Sequence, residues 1–362
     1  MGIKIGGEFE LSVDVLKESP KNYNMLSLKK EKYISVDTGR SALYVALQEI
    51  IKKVRKREAW IPMFCCDSVV APFIQLGFTV NYYSMGDDLR SPSKLPNSLE
   101  DITFLFINYF GKKNETIIEW LEHNRKKSTV VIEDNVQAVL SDNVGNNGDY
   151  VIYSLRKYLP QPDGALLAYN GETISPQLLE PNEQFISEKV IGKLLRGADA
   201  DAETFLKLFS SSEESVDGQI KPRMMSVFSR FLFDRVNLAQ VKQVRRDNWT
   251  YIQTSIKALK GNPNMLHPLY DELESEEVPL GYPIVVKNQK RDQLKHYLAS
   301  YDIFCPVHWP IPMNRSRSIE NYTDYQLSTS ILTLPIDQRL SRKEIQYMVD
   351  KISEFYGEIT NT

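Results

Sequence analysis

Short, almost continuous apolar runs alternate along the chain with segments whose apolar residues recur every three or four positions. The runs predict strands over residues 34–36, 59–62, 78–83, 103–108, 129–134 and 165–168. Helical spacing appears in residues 42–51, 69–76 and 116–125. Apolar strands separated by helices predict a parallel or mostly parallel α/β sheet that is covered on both faces. Ligands bind such sheets at the carboxyl ends of the strands.

The pattern changes in the second half of the chain. The polar segment 171–222 predicts helices and loops, and helical spacing over 228–259 predicts one long helix or two. Later runs predict a small α+β domain, with strands at 282–286 and 332–334 and helices at 291–299 and 341–355. In the last helix, Ser341 and Glu344 fit a capping box. We therefore expect an N-terminal arm (1–30), a large ligand-binding domain (31–245) and a small C-terminal domain (246–362).

Composition narrows the range of partners. Of the 362 residues, 42% are hydrophobic and 25% are charged, and the net charge of −3 gives no reason to expect nucleic acid or an anionic membrane as a partner. No apolar stretch approaches the roughly 20 residues of a membrane span, and the N-terminus lacks a signal-peptide core. The three cysteines provide neither a disulfide framework nor paired zinc-ligand spacing. We expect a cytoplasmic protein without a metal site.

A possible anion site lies where the first predicted strand leads into a helix, at Thr38-Gly39-Arg40-Ser41. The unpaired N–H groups of a helix start attract phosphate, and Gly39 would let a ligand approach the backbone. Arg40 and Ser41 would add a charge and a hydroxyl. The alternative is an ordinary helix cap with an arginine facing solvent, which this motif taken alone favours.

Two later strand ends carry a carboxylate and a lysine. Asp134 ends the strand 129–134, and Lys157 follows another apolar run that ends near Ser154. Pyridoxal 5'-phosphate (PLP) needs this pair, because a lysine amine bonds to its aldehyde and a carboxylate keeps its pyridine nitrogen protonated. Glu133 must point away from Asp134. Gln137 could contact the ring hydroxyl, and Ser154 a phosphate oxygen.

Each of these residues also has an ordinary alternative. Asp134 could be a helix cap or an ion-pair partner, Gln137 a surface glutamine and Lys157 a surface lysine. The combination of a phosphate turn, a strand-end acid and a lysine, in this order, favours the cofactor.

The sequence resembles the DegT/DnrJ/EryC1/StrS family of fold-type I PLP-dependent sugar aminotransferases, as a divergent branch. The motifs that carry the resemblance are Ile5-Gly6-Gly7-Glu8-Phe9, Gly39-Arg40-Ser41-Ala42-Leu43, Ile61-Pro62, Asn108-Tyr109-Phe110-Gly111, Ile132-Glu133-Asp134, Gln137-Ala138, Gly148-Asp149 and Leu332-Thr333-Leu334-Pro335-Ile336. The resemblance implies that Lys157 bonds to PLP, Asp134 contacts the pyridine nitrogen and Gln137 the ring hydroxyl. Arg40, Ser41 and Ser154 would hold the phosphate.

The chain departs from the family pattern in three places. The step from Ser154 to Lys157 is shorter than in typical members. Cys66 stands where an aromatic residue usually stacks on the ring, so Phe64 or Tyr109 would cover it instead, or the thiol would pack against it. The usual segment that lends a phosphate contact to a neighbouring subunit is not evident.

Four weaker candidates for substrate contacts come from the later part of the chain. Arg223 and Ser226 could replace the missing intersubunit segment. His308 and Trp309 could line the substrate mouth, although packing in a core is the more common role for such a pair. Arg245 and Arg246 look like a solvated helix face, although the phosphates of a nucleotide sugar would also suit an arginine pair.

The resemblance implies transfer of an amino group from glutamate or a similar donor to a nucleotide-linked keto-sugar, in polysaccharide or lipopolysaccharide biosynthesis, by a homodimer. Two alternatives remain open. One is a PLP-dependent sugar dehydratase or lyase. The other is a catalytically silent family member that acts as a scaffold.

Overall fold

The computed structural model describes residues 4–19, 26, 28–216, 218–259, 265–312, 315 and 323–360. Its strands are β1 (Ile5–Gly6), β2 (Lys32–Val36), β3 (Glu58–Pro62), β4 (Thr79–Tyr83), β5 (Thr103–Ile107), β6 (Val130–Asp134), β7 (Tyr150–Ser154), β8 (Ala165–Tyr169), β9 (Leu266–Pro268), β10 (Tyr282–Val286), β11 (Ile303–Phe304) and β12 (Ile331–Leu334). Its α-helices are α1 (Gly39–Ile51), α2 (Asp67–Gln75), α3 (Glu115–Asn124), α4 (Glu183–Gly197), α5 (Ala202–Glu214), α6 (Val227–Phe233), α7 (Leu238–Lys257), α8 (Arg291–Ala299), α9 (Thr323–Ser330) and α10 (Arg342–Thr360).

A seven-stranded sheet forms the centre of the fold, in the order β2-β8-β7-β6-β5-β3-β4. Strand β8 is antiparallel to both of its neighbours, and the other pairings are parallel. Every residue of β5, β7 and β8 is buried, as expected for strands that are covered on both faces. The predicted mostly parallel α/β sheet is confirmed.

A second, antiparallel sheet has the order β12-β10-β9. It shares a separate hydrophobic core with residues of α7, α8 and α10. Ser341 precedes α10 and forms the predicted capping box: its N–H donates to the Glu344 carboxylate at 2.7 Å, and its hydroxyl accepts from the N–H of Lys343 at 3.2 Å. Helix α7 runs through the predicted boundary at residue 245, and the division into domains stays a prediction.

Two sequence predictions are refined by the structure. The segment 228–259 forms two helices, because the chain leaves the helical path after α6 and Asn237 caps α7 by accepting from the N–H of Gln240 at 3.2 Å. The polar segment 171–222 contains the two helices α4 and α5, which pack on each other.

Within the described ranges, no helix is both long and apolar enough to cross a membrane. The same residues contain no group of three or more potential metal ligands.

Candidate active site

A cavity of about 560 Å³ opens at the carboxyl ends of β6 and β7 beside the start of α1. Of the residues predicted from the sequence, it brings together eight in one lining: Gly39, Arg40, Cys66, Asp134, Gln137, Ser154, Lys157 and Trp309. This main cavity lies where parallel sheets bind their ligands.

The first turn of α1 forms one wall of the main cavity. Thr38 caps the helix, and its hydroxyl accepts from the N–H of Ser41 at 3.2 Å. Gly39 lies close to the strand ends, since a Cβ there would be 3.3 Å from Cγ2 of Val136. The remaining N–H groups of this turn and the Arg40 guanidinium suit an anion such as a phosphate.

Asp134 and its neighbour Glu133 point in different directions. Asp134 lines the main cavity, where Oδ1 accepts from the N–H of Val136 at 2.9 Å. Burial raises the pKa of Asp134 to about 6, against the opposing effects of that hydrogen bond and of the Lys157 charge. A cationic ligand beside this buried carboxylate would stabilise its charged form.

Glu133 instead holds the loop that follows β6. Its Oε1 accepts from the N–H of Gly145 at 2.5 Å, and its Oε2 accepts from the N–H groups of Asn147 and Gly148 at 2.9 and 3.0 Å. The side-chain amide of Asn108 also donates to Oε1, at 3.0 Å. Glu133 is therefore committed to the loop and does not face the cavity.

Lys157 ends the short helical turn Leu155–Lys157, which follows β7 directly. The N–H of Leu155 donates to the carbonyl of Gly164 at 3.0 Å, which fixes the turn against the start of β8. Lys157 is exposed in the lining of the main cavity, and no carboxylate of the described residues lies within 4.0 Å of its amine. Its amine is therefore available for reaction.

Gln137 contributes one end of its side chain to the cavity. Its side-chain oxygen accepts from the N–H of Phe110 at 2.9 Å, so that its NH₂ group remains to donate to a ligand. The Gln137 carbonyl accepts from the hydroxyl of Tyr158 at 2.5 Å, which ties Gln137 to the residue after Lys157.

The opposite wall contains charges that sequence reasoning did not identify as site residues. Glu8, Arg156 and Glu213 line the cavity, and Nη2 of Arg156 lies 2.7 Å from Oε1 of Glu213. The buried amines of Lys189 and Lys193 lie 2.7 and 2.9 Å from the Glu8 carboxylate. Burial alone would raise the pKa of Glu8, but these ammonium groups lower it and keep the side chain ionised.

Two predicted ring-stacking residues lie in the core instead of the lining of the main cavity. Phe64 is fully buried, and its carbonyl accepts from the Tyr109 hydroxyl at 2.7 Å. This bond holds the Tyr109 ring beside Phe64, and Tyr109 borders a different cavity of about 240 Å³. Cys66 and Trp309 are the candidates that reach the lining.

Ser41, Arg223, Ser226 and His308 are also outside the lining of the main cavity. Ser41 and Arg223 border a neighbouring cavity of about 280 Å³, which shares Thr38 and Arg40 with the main one. Ser226 is buried and donates to Oδ1 of Asp163 at 2.6 Å. His308 contacts Oγ1 of Thr333 at 2.9 Å, and burial, helped by the Lys157 charge, lowers its pKa to about 3. His308 is therefore neutral near pH 7.

Arg245 corrects the prediction of a solvated helix face. Only 1% of it is exposed, and its guanidinium donates to the carbonyls of Pro279 and Leu280 at 3.1 and 2.9 Å. Arg246 is half-buried and donates to the carbonyl of Glu274 at 2.7 Å. Carbonyl groups of a distant loop, which helical spacing does not reveal, hold both side chains.

The residues around the main cavity fit PLP. The buried Asp134 carboxylate lacks an ion-pair partner among the described residues and suits a pyridinium N–H. The start of α1 suits the phosphate, and the Lys157 amine suits the aldehyde.

Comparison with known proteins points in the same direction. The model of the DegT/DnrJ/EryC1/StrS aminotransferase family matches residues 233–353. A curated relative, dTDP-3-amino-3,6-dideoxy-alpha-D-galactopyranose transaminase of Aneurinibacillus thermoaerophilus, is 25% identical over 77 residues. That match covers 20% of this chain and only 21% of the relative.

Solved structures match nearly the whole chain. The aminotransferase TlmJ of Streptoalloteichus hindustanus superposes with a TM-score of 0.68 at 14% identity, over 99% of this chain and 100% of that one. NtdA of Bacillus subtilis, solved with bound cofactor PMP, gives a TM-score of 0.63 at 14% identity, over 92% and 74%. The predicted fold, the fold-type I PLP-transferase fold, is confirmed.

The family match lies in the C-terminal part of the chain, whereas Asp134 and Lys157 lie before it. The resemblance to the DegT/DnrJ/EryC1/StrS aminotransferase family, predicted from motifs in the sequence, is confirmed by this match.

Proposed function

We propose that the protein is a PLP-dependent aminotransferase that moves an amino group from glutamate or a similar donor to a nucleotide-linked keto-sugar. One observation carries the proposal: the Lys157 amine and the Asp134 carboxylate line the same cavity, beside the start of α1. Bound PLP would supply an electron sink for the charge that develops at the donor's α-carbon.

The chain's own residues then have separate tasks. The buried Asp134 carboxylate would keep the pyridine nitrogen of bound PLP protonated, because a nearby cation stabilises a buried carboxylate. Lys157 acts as general base and acid, because its amine can take a proton from the donor and return it to the product side. The first turn of α1, with Arg40 and Ser154, would hold the phosphate, and the Gln137 NH₂ group would donate to the ring hydroxyl. Ser41, which was predicted to join them, borders the neighbouring cavity instead.

The substrate would occupy the part of the cavity beyond the cofactor. Trp309 offers an apolar face for a sugar ring, and Glu8 and Glu213 offer acceptors for hydroxyl groups. The curated relative acts on a dTDP-linked sugar according to its name, which supports a nucleotide-sugar substrate.

We also propose a homodimer in the cytoplasm that serves surface polysaccharide or lipopolysaccharide synthesis. The family resemblance supports these points. In such a dimer, Arg223 is a candidate for a contact to the partner's site, whereas the buried Ser226 is not. His308 is a candidate for a contact behind Trp309.

The test uses purified full-length protein incubated with PLP. We expect an absorption band that borohydride reduction bleaches. Because reduction fixes the cofactor to its lysine, a peptide map should find this cofactor label at residue 157. Lys157→Ala should lose the label, whereas Lys207→Ala, at an exposed lysine on α5, should keep it. Labelling spread evenly over surface lysines would refute the site.

Addition of glutamate then separates the possible functions. An aminotransferase converts the bound cofactor to its amine form and passes the nitrogen to a keto-sugar from a nucleotide-sugar panel. A dehydratase or lyase leaves glutamate unchanged but releases water or a leaving group from its own substrate. A scaffold changes neither donor nor cofactor.

A further inference from the structure

Tyr158, which follows Lys157, is fixed by contacts with several distant segments of the chain. The side chain of Tyr158 is fully buried, and its hydroxyl lies 2.5 Å from the carbonyl of Gln137 and 3.0 Å from that of Val278. Its own backbone carbonyl accepts from Nε2 of Gln338 at 2.8 Å. Residue 158 is thus fixed at both its side chain and its backbone.

Arg245 lies at the centre of these contacts. Its guanidinium carbon is 4.6 Å from the centre of the Tyr158 ring, and Nη2 lies 3.4 Å from the Tyr158 carbonyl. Its Nε donates to Oε1 of Gln338 at 2.9 Å. Because that oxygen is occupied, the NH₂ group of Gln338 must face the Tyr158 carbonyl.

Arg245 also contacts the segment that holds the Tyr158 hydroxyl. Nη1 donates to the carbonyls of Pro279 and Leu280, which follow the carbonyl of Val278 that faces the Tyr158 hydroxyl. No carboxylate of the described residues lies within 4.0 Å of this buried guanidinium. Its N–H groups therefore donate to carbonyl oxygens around the lysine turn (Leu155–Lys157), and the Asp337 carboxylate, which lies further away, opposes the lowering of its pKa by burial.

We propose that Arg245 is a positioning residue for Lys157. Through Tyr158, directly and by way of Gln338, it sets the direction in which the lysine turn presents its amine to the main cavity. The Tyr158–Gln137 bond extends the same control to a second cavity residue. The inference rests on the proposed function, because it assumes that Lys157 bonds to the cofactor.

The test compares two buried arginines in the full-length protein. Arg245→Met removes the contacts of the guanidinium with Tyr158, Gln338 and the carbonyls of Pro279 and Leu280. Arg291→Met is the matched control. Arg291 is also buried, and its Nη1 donates to the carbonyls of Ser328 and Ile331 at 3.1 and 3.0 Å, outside the site. The readouts are the PLP dissociation constant, from titration of the absorption band, and the share of borohydride-fixed label at residue 157.

We expect Arg245→Met to weaken PLP binding roughly tenfold to a hundredfold and to reduce the label at residue 157, because small misplacements of reacting groups have effects of this size. Arg291→Met should lose stability but load PLP as the wild type does. Arg245→Lys should recover only part of the loading, since an ammonium cannot bridge the same carbonyls.

If Arg245→Met folds and loads residue 157 like the wild type, the inference is wrong. If Arg245→Met fails to fold, Gln338→Ala decides: it removes the shortest bond to the Tyr158 carbonyl, and unchanged PLP loading in that variant would overturn the inference. A wild type that never labels residue 157 would instead refute the proposed function.

Discussion

Replacing Asp134 by Asn should stabilise the cofactor-free protein near neutral pH. Burial raises the pKa of Asp134 from its ordinary 3.8 to about 6, so the folded protein binds more protons than the unfolded chain between these values. Its contribution to stability therefore falls as pH rises through this window, by roughly 3 kcal/mol in total. An asparagine avoids this loss and can still accept from the N–H of Val136.

The neighbouring substitution Glu133→Gln should have the opposite effect. Glu133 accepts from the N–H groups of Gly145, Asn147 and Gly148 with both carboxylate oxygens. A glutamine turns one of these oxygens into a donor that faces other donors. We expect a loss of roughly 2–4 kcal/mol, because each unsatisfied buried group costs about 1–3 kcal/mol.

Urea unfolding of wild type and both variants, without PLP, measures these effects at about pH 4 and about pH 7.5. Asp134→Asn should match the wild type at the lower pH and exceed it at the higher pH. Saturating PLP should reverse the order at the higher pH, because only the carboxylate can pair with a protonated ring. A stability difference that stays the same at both pH values would refute the argument from burial.

Two further substitutions test the packing beside the site. Gly111→Ala should destabilise the protein by roughly 3 kcal/mol or more, because its φ is +94° and a Cβ would overlap the carbonyl of Val278. Gly171→Ala is the matched control, with a φ of +90° but no atom within 4 Å, and a similar loss in both by thermal unfolding would contradict the overlap. Lys112→Met should cost roughly 3–5 kcal/mol, since it leaves the buried Glu277 carboxylate, 2.5 Å from the lysine amine, without its partner. Adding Glu277→Gln should restore part of the loss in urea unfolding, and a further loss of equal size would show that the pair is not coupled.

Much of the large sheet could be predicted because its strands are apolar on both faces. Residues 103–107 and 165–169 are buried throughout, so a continuous apolar run is enough to predict each strand without information on its neighbours. Asp134 and Lys157 could be proposed as a pair for a related reason. Asp134 ends β6 and Lys157 lies three residues after β7, and neighbouring parallel strands end on the same side of a sheet.

Other features depend on contacts between distant segments. The charge pattern of α7 does not reveal that Arg245 meets the carbonyls of Pro279 and Leu280. Likewise, aromatic residues near a strand end do not indicate whether their rings face the cavity or the core. The bond from Tyr109 to the carbonyl of Phe64 decides this in favour of the core.

Strand β1 has a consequence for how the molecule is made. Ile5 pairs with Ile303, and Glu8, a few residues further, forms a wall of the main cavity against α4. During synthesis Ile5 leaves the ribosome long before Ile303, and the loop between them is long, so that their pairing is slow. We therefore expect the cavity to reach its final shape only after β11 has left the ribosome, which makes cofactor capture a late event in the life of the nascent chain.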